Sequence, residues 1–201
     1  MHGDGGAFSH NDSLFVLTWN SLLGAGMTRA TRFRMTVVPK SLMIPETMPA
    51  IMEMLVWSFN TMLSGIQPVM DHTGVAVHGS VGYLAGRWKA CLAQLRGDWE
   101  FFAMPSFLNF PKWNEVNRMC WKCLAVGEND HPLKYSRFDR GAPWRPTRQT
   151  HEDYIASFPD PRLTPVLFYK CCGMRLEVVM VDVLHCVDLG IASHIVGNIF
   201  W

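Results

Sequence analysis

The 201-residue sequence has few charged residues and almost no excess of either sign. Asp, Glu, Lys and Arg make up 17% of the chain, and the formal net charge is +1. Proteins that bind nucleic acid through their overall charge carry a basic excess, so only local clusters of arginine could indicate such a partner here. Hydrophobic residues make up 49% of the chain, which is typical of a globular protein and excludes a disordered one.

Long apolar runs, internal repeats and a secretory start are also missing. No stretch reaches the roughly 18 consecutive apolar residues of a membrane span, so we expect no membrane partner. The start MHGDGG has neither the basic nor the apolar segment of a signal peptide. We therefore expect an intracellular chain whose six cysteines are reduced, and a disulfide framework is the weaker interpretation.

Patterns of apolar residues predict an α/β domain with a mixed sheet. The pattern indicates strands at 13–20, 31–38, 90–95 and 175–181, a helix at about 46–64, and a further helix from about 189. Between 105 and 165, prolines, tryptophans and charges are interspersed without a long period. The predicted organisation is a first part at 1–104, an irregular insertion at 105–165, and a returning strand and helix at 166–201.

Aspartates occur next to predicted strands at three places. Asp4 lies in HGDGG, which is turn-like because Asp-Gly is a common turn dipeptide. Asp98 follows an apolar run in LRGDW, where it could cap a helix, contribute to a site at the sheet edge, or do both. Asp182 and His185, in VMVDVLHCVDLG, could share one side of a helical turn, or could be a cap and a core histidine.

Cys120 and Cys123 have the spacing with which two thiolates share one tetrahedral metal ion. The pair in CWKC is half of a zinc site, and His131, His151 and His185 are candidate partners. A structural zinc would stabilise an insertion that buries little apolar surface. The alternative is a pair of ordinary free thiols.

Arginines cluster at two places in the sequence. One group, Arg29, Arg32 and Arg34, is expected on the second predicted strand. Arginine beside an aromatic ring suits contacts with phosphate and stacking on a base or sugar, although arginines are also common on a solvated surface. The second group has such a ring and consists of Arg137, Arg140, Trp144, Arg145 and Arg148.

Taken in order, HGDG, LRGDW, CWKC, WRPTRQTH and DVLHCVDLG resemble the core of eukaryotic DDE transposases. They are most similar to the CACTA/Tnp2-like group and to related transposon-derived proteins of protists. Each motif is short, and the order of the motifs is the specific part. The resemblance implies an RNase H-like fold, metal-dependent cleavage and strand transfer of DNA, and a nuclear location, and it leaves a homo-oligomer open.

The resemblance also implies a role for each matching residue. Asp4 and Asp98 would hold two Mg²⁺ or Mn²⁺ ions about 3.5–4 Å apart, which activate the attacking oxygen and stabilise the leaving one. Asp182 and His185 would support this site or bind the DNA strand. Zinc would be bound by the two cysteines of CWKC, together with His151.

Two features depart from the family pattern. Only three residues precede Asp4, so most of the first strand is expected to be missing, and no Glu or Asp follows Asp188. Because two cations are held poorly without a third carboxylate, we expect an inactive fragment or relic of a transposase. Two alternatives remain: a non-catalytic nucleic-acid-binding or interaction protein, and an unrelated metallohydrolase that uses Asp4, Asp182 and His185 directly.

Overall fold

The computed structural model describes residues 1–7, 12–79, 82–105, 107–112, 115–158 and 167–181. Its strands are β1 (His2–Ala7), β2 (Ser13–Trp19), β3 (Phe33–Pro39), β4 (Leu95–Gly97) and β5 (Val179–Val181). Its α-helices are α1 (Thr28–Thr31), α2 (Thr47–Ser64), α3 (Trp99–Ala103) and α4 (His151–Ala156). Short 3₁₀ helices lie at Lys40–Leu42, Ala85–Arg87, Arg145–Thr147, Leu167–Lys170 and Leu176–Val178.

All five strands belong to one mixed sheet with the order β3-β2-β1-β4-β5. β1 pairs antiparallel with β2, and β2 pairs antiparallel with β3. β1 and β4 are parallel, as are β4 and β5. The predicted α/β class with a mixed sheet is therefore confirmed.

The glycine-rich start forms the central strand of the sheet, so the interpretation of HGDGG as a turn is wrong. β1 has six residues and pairs on both of its edges, with β2 and with β4. Only two residues of this strand, His2 and Gly3, precede Asp4. Pairing with β2 and β4 overrides the local turn preference here, because strand formation depends on hydrogen bonding and packing with neighbouring strands.

Three elements form where periodicity predicts them, within two residues at each end. β2 and β3 match the predicted strands, and α2 matches the predicted helix. The buried residues of α2 recur every three or four positions and belong to the same hydrophobic core as Phe15 and Leu17 of β2: Met48, Met52, Leu55, Val56 and Phe59. The helix ends at Gly65, whose φ of 69° is the left-handed conformation that favours glycine. No helix in the described ranges is long and apolar enough to cross a membrane.

The last two strands are shorter than predicted. Of the apolar run at 90–95, only Leu95 belongs to β4; Leu92 is also buried, but in an unpaired segment. A short apolar run predicts burial more securely than it predicts pairing. In the run at 175–181, the 3₁₀ helix Leu176–Val178 precedes β5. The helix predicted from about residue 189 lies outside the described residues.

The insertion packs into the same hydrophobic core as α2 and the sheet. Phe107, Leu108, Phe110 and Tyr154 are all at most 2% exposed and belong to that core. The ring of Phe110 stacks on Trp121 with centroids 4.9 Å apart and an interplanar angle of 12°. The expectation that the insertion buries little apolar surface is therefore wrong, because its aromatic side chains supply the burial.

Candidate functional site

One row of register partners crosses the three parallel strands. Gly3 on β1 pairs with Gly97 on β4, and Gly97 pairs with Val181 on β5. In the sequence, each of these residues is followed by an aspartate: Asp4, Asp98 and Asp182. Asp182, together with His185, lies outside the described residues. The structure therefore places Asp4 and Asp98 at equivalent positions of neighbouring parallel strands, which lie about 4.8 Å apart.

The two glycines of this row are required by the ring of Phe101, which lies directly over them. A Cβ on Gly3 would lie 2.2 Å from the ring of Phe101, and a Cβ on Gly97 would lie 2.4 Å from it. A Cβ on Gly97 would also lie 3.0 Å from the carbonyl oxygen of Gly3. The glycines thus allow α3 to close onto the sheet immediately beside the two aspartate positions.

Asp98 is the N-cap of α3, and it also lines a pocket beside β1. Its Oδ1 accepts a hydrogen bond from the backbone N–H of Phe101 at 2.7 Å. A carboxylate has two oxygens with about four lone-pair positions, so the cap leaves acceptor capacity for a cation. The predicted helix cap is therefore confirmed, and the contribution of Asp98 to a site at the sheet edge stays a prediction.

The pocket has a volume of about 250 Å³ and an apolar floor with a charged rim. Phe15, Phe101, Met43 and Met104 contribute the apolar lining. At the rim, the Lys40 ammonium lies 3.2 Å from a carboxylate oxygen of Glu100. The same ammonium lies 3.4 Å from where a Cβ on Gly5 would be, so the ion pair sits over β1.

Sequence reasoning missed both charged residues at this rim. Glu100 stands two residues after Asp98 in LRGDWE, and this second acid was the available signal. Lys40 is 60 positions away from Glu100 in the chain, and only the path of β3 brings it close. The site therefore offers a described carboxylate at Asp98, a second at Glu100, and a neighbouring cation.

The thiols of the CWKC segment lie next to each other. Burial, followed by the adjacent Cys120 thiol, raises the pKa of Cys123 to about 11. Zinc binding would require thiolates, so a metal would have to offset this burial. Among the residues that the structure describes, no third His, Cys, Asp or Glu joins the pair. Zinc at Cys120 and Cys123 remains a prediction, with its further ligands unassigned.

His151, which the resemblance implies as a zinc ligand, packs against an aromatic ring, and its role as a ligand stays a prediction. It is the first residue of α4, and its ring packs against Tyr169 with centroids 5.6 Å apart. Burial lowers the pKa of His151, and its Nδ1 is buried without a hydrogen-bond partner in the described structure. His131 instead accepts a hydrogen bond at Nδ1 from the backbone N–H of Leu133, at 3.0 Å.

The arginine cluster around Trp144 largely holds its own loop together. Arg137 forms an ion pair with Asp139 at 3.1 Å, and the indole N–H of Trp144 donates to the carbonyl of Arg137 at 2.7 Å. Arg145 donates to the carbonyl of Phe138 at 2.7 Å and lies 5.3 Å from the centre of the Trp144 ring. The remaining members, Arg140 and Arg148, are exposed.

The prediction that the first arginine group lies on one strand is wrong. Arg29 is part of α1, Arg32 precedes β3, and only Arg34 belongs to that strand.

No protein-family model matches this chain, and no curated protein or solved structure matches it either. Its function is therefore inferred from the residues and their geometry alone.

Proposed function

We propose that this chain is a transposase-derived domain that binds divalent cations through Asp4, within β1, and Asp98, directly after β4. Its ancestral chemistry would be metal-dependent cleavage and strand transfer of DNA phosphodiesters. The observation that carries this proposal is the row Gly3–Gly97–Val181, in which each residue is followed in the sequence by an aspartate. Because β1 and β4 are parallel, Asp4 and Asp98 each lie one residue beyond the row in the same direction.

The topology of the sheet supports an RNase H-like fold, as the resemblance to DDE transposases implies. The five strands have the order 3-2-1-4-5, and only β2 runs against the others. The resemblance implies a first acid on the first strand and a second acid that follows a glycine, and Asp4 on β1 and Asp98 after Gly97 fit both expectations.

The donor chemistry fits a hard cation. Carboxylate oxygens are the ligands that Mg²⁺ and Mn²⁺ prefer, and strands about 4.8 Å apart can bring two carboxylates to one ion. When bound, two such ions would supply an activated nucleophile and a stabilised leaving oxygen. Asp98 would have two tasks, because its Oδ1 also caps α3. Asp182 is the candidate for a third carboxylate on the basis of its position in the sequence.

Binding of Mn²⁺ to the whole chain, followed by electron paramagnetic resonance and calorimetry, tests the proposal. Asparagine is as good an N-cap as aspartate, so Asp98→Asn removes the charge while retaining the cap. We expect Asp4→Asn and Asp98→Asn each to weaken Mn²⁺ binding at least tenfold. Asp71→Asn is the matched control, since Asp71 is a distant loop aspartate that bonds only its own turn in the described structure. Unchanged binding by Asp98→Asn would contradict the proposal.

A non-catalytic nucleic-acid-binding protein is the second candidate function. It is favoured by the cap that Asp98 provides, because this role accounts for the residue without a metal. A chain of this kind would bind an oligonucleotide in EDTA, take up no Mn²⁺, and leave supercoiled plasmid uncut in Mn²⁺. A transposase-derived domain that has kept its cation site would take up Mn²⁺, and Asp98→Asn would weaken the uptake. Only a domain that has also kept its ancestral activity would hold two ions and nick the plasmid.

A further inference from the structure

A second row of register partners crosses all five strands and carries two exposed arginines. Arg34 on β3 pairs with Thr18, Thr18 with His2, His2 with Arg96, and Arg96 with Met180. Paired residues project from the same side of a sheet. Both arginines are exposed, whereas Thr18 between them is only 6% exposed. We name Arg34, His2 and Arg96 the basic row.

The basic row lies on the side of the sheet away from the core around Phe101. Its neighbours along the strands are the tight glycines Gly3 and Gly97, together with Leu17, which is fully buried. Since side chains alternate along a strand, these neighbours project to the core side, and His2, Arg96 and Thr18 project to the other. Arg34 is placed on that side by its pairing with Thr18, which lies next to a shift in the register of β2 and β3. Arg34 and Arg96 are separated by three strand spacings, about 14 Å, which is room for two or three successive phosphates of one strand.

The segment that contains Arg34 carries charges of one sign. Residues 13–45 contain Arg29, Arg32, Arg34 and Lys40 and no Asp or Glu. Arg96 donates to the neutral amide oxygen of Gln94 at 2.8 Å. Within the described ranges, no carboxylate forms an ion pair with Arg34 or Arg96, whereas Arg137 in the loop cluster is paired with Asp139.

The basic row is also close to the aspartate positions. Asp4 lies two residues beyond His2 on β1, and Asp98, just after β4, lies two residues beyond Arg96, a distance of about 6.6 Å for extended backbone. This distance is comparable to the separation of neighbouring phosphates along a nucleic-acid strand. The basic row therefore lies within about one phosphate spacing, along the backbone, of both aspartate positions.

We propose that the basic row binds the sugar-phosphate backbone of single-stranded DNA beside the aspartate edge. This inference deepens the proposed function and rests on it only for the identity of the phosphate that is cut. Guanidinium groups suit phosphate because they donate two parallel hydrogen bonds and keep their charge. The row gives no contact to base edges, so binding is expected to be independent of sequence.

Fluorescence anisotropy with a labelled 15-nucleotide single-stranded DNA, in EDTA at several salt concentrations, tests the inference. Each phosphate contact to a single strand contributes about 0.7 to the slope of log K against log salt. We expect Arg34→Gln and Arg96→Gln each to reduce the slope by about 0.7, and the double variant to reduce it by about 1.4. Arg34→Lys keeps the charge and should keep the slope. Arg140→Gln, which removes an exposed arginine of the loop cluster, should also leave the slope unchanged.

The inference is overturned if the double variant binds with the wild-type slope, or if Arg140→Gln causes an equal loss. It is also overturned if only duplex DNA or only RNA competes for binding. Melting temperatures within a few degrees of wild type show that the variants are folded. The double variant should bind Mn²⁺ like the wild type, and Asp98→Asn should bind DNA in EDTA, so this inference and the cation proposal can fail separately.

Discussion

Replacing Gly97 with alanine tests whether the glycine row sets the separation of β1 and β4. The added Cβ would lie 2.4 Å from the Phe101 ring and 3.0 Å from the carbonyl oxygen of Gly3. Neither neighbour can easily move. Phe101 is only 3% exposed and its ring packs 4.3 Å from Phe107, centroid to centroid, while the carbonyl belongs to the central strand.

Overpacking a well-packed core costs about 1–3 kcal/mol. We therefore expect Gly97→Ala to lower the free energy of unfolding by about 2 kcal/mol, equivalent to about 4–8 °C in melting temperature for a chain of this size. Urea unfolding followed by circular dichroism and tryptophan fluorescence measures the change, and an unchanged m-value would show that the denatured state is unaffected.

Gly6→Ala is the matched control, because Gly6 lies on β1 and a Cβ there would meet nothing within 4 Å. Its expected effect is neutral or slightly stabilising, since alanine restricts the unfolded chain. Combining Gly97→Ala with Phe101→Leu should cost about 1 kcal/mol less than the sum of the single changes, because the two groups touch. If Gly97→Ala is no more destabilising than Gly6→Ala, the packing argument is refuted.

Three further predictions follow from the described contacts. Asp98→Ala should destabilise the domain by about 1 kcal/mol in urea unfolding while Asp98→Asn does not, because only asparagine retains the cap; equal losses would exclude a capping role. Stability should fall between pH 9 and 11, where the Cys123 thiol ionises in the unfolded chain but not in the fold; Cys123→Ala should flatten this fall, whereas Cys91→Ala, at an exposed thiol, should not. If zinc binds, chelation should lower the melting temperature and expose Cys120 and Cys123 to alkylation; indifference to the chelator would identify them as ordinary thiols.

Local pattern predicted the elements whose side chains have a regular period. β2, β3 and α2 form where alternation or the helical period indicates them, because each buries one face of its own residues. HGDGG was read as a turn because its preference is local, whereas its strand depends on partners far along the chain. The predicted β4 and β5 are too long, because an apolar run indicates buried residues but does not indicate which of them form backbone hydrogen bonds with another strand.

The site was predictable only in part, for the same reason. The order of the motifs indicated that Asp4 and Asp98 belong together, and they occupy equivalent positions on neighbouring strands. Lys40 and Glu100 were missed because their proximity depends on the path of β3 over β1, which no local spacing records. The basic row was missed because its arginines are joined only by the register of the strands.

The strand order also has a consequence for folding during synthesis. β1, β2 and β3 can pair as soon as the first 40 or so residues leave the ribosome, but the other edge of β1 must wait for β4. The first contact across that edge joins the Met1 amine to the Gln94 carbonyl, residues that are 93 positions apart. At about 5–20 residues per second, the open edge persists for several seconds. During that interval a nascent chain presents unpaired backbone to its neighbours, and a chaperone that covers this edge would raise the yield of folded protein.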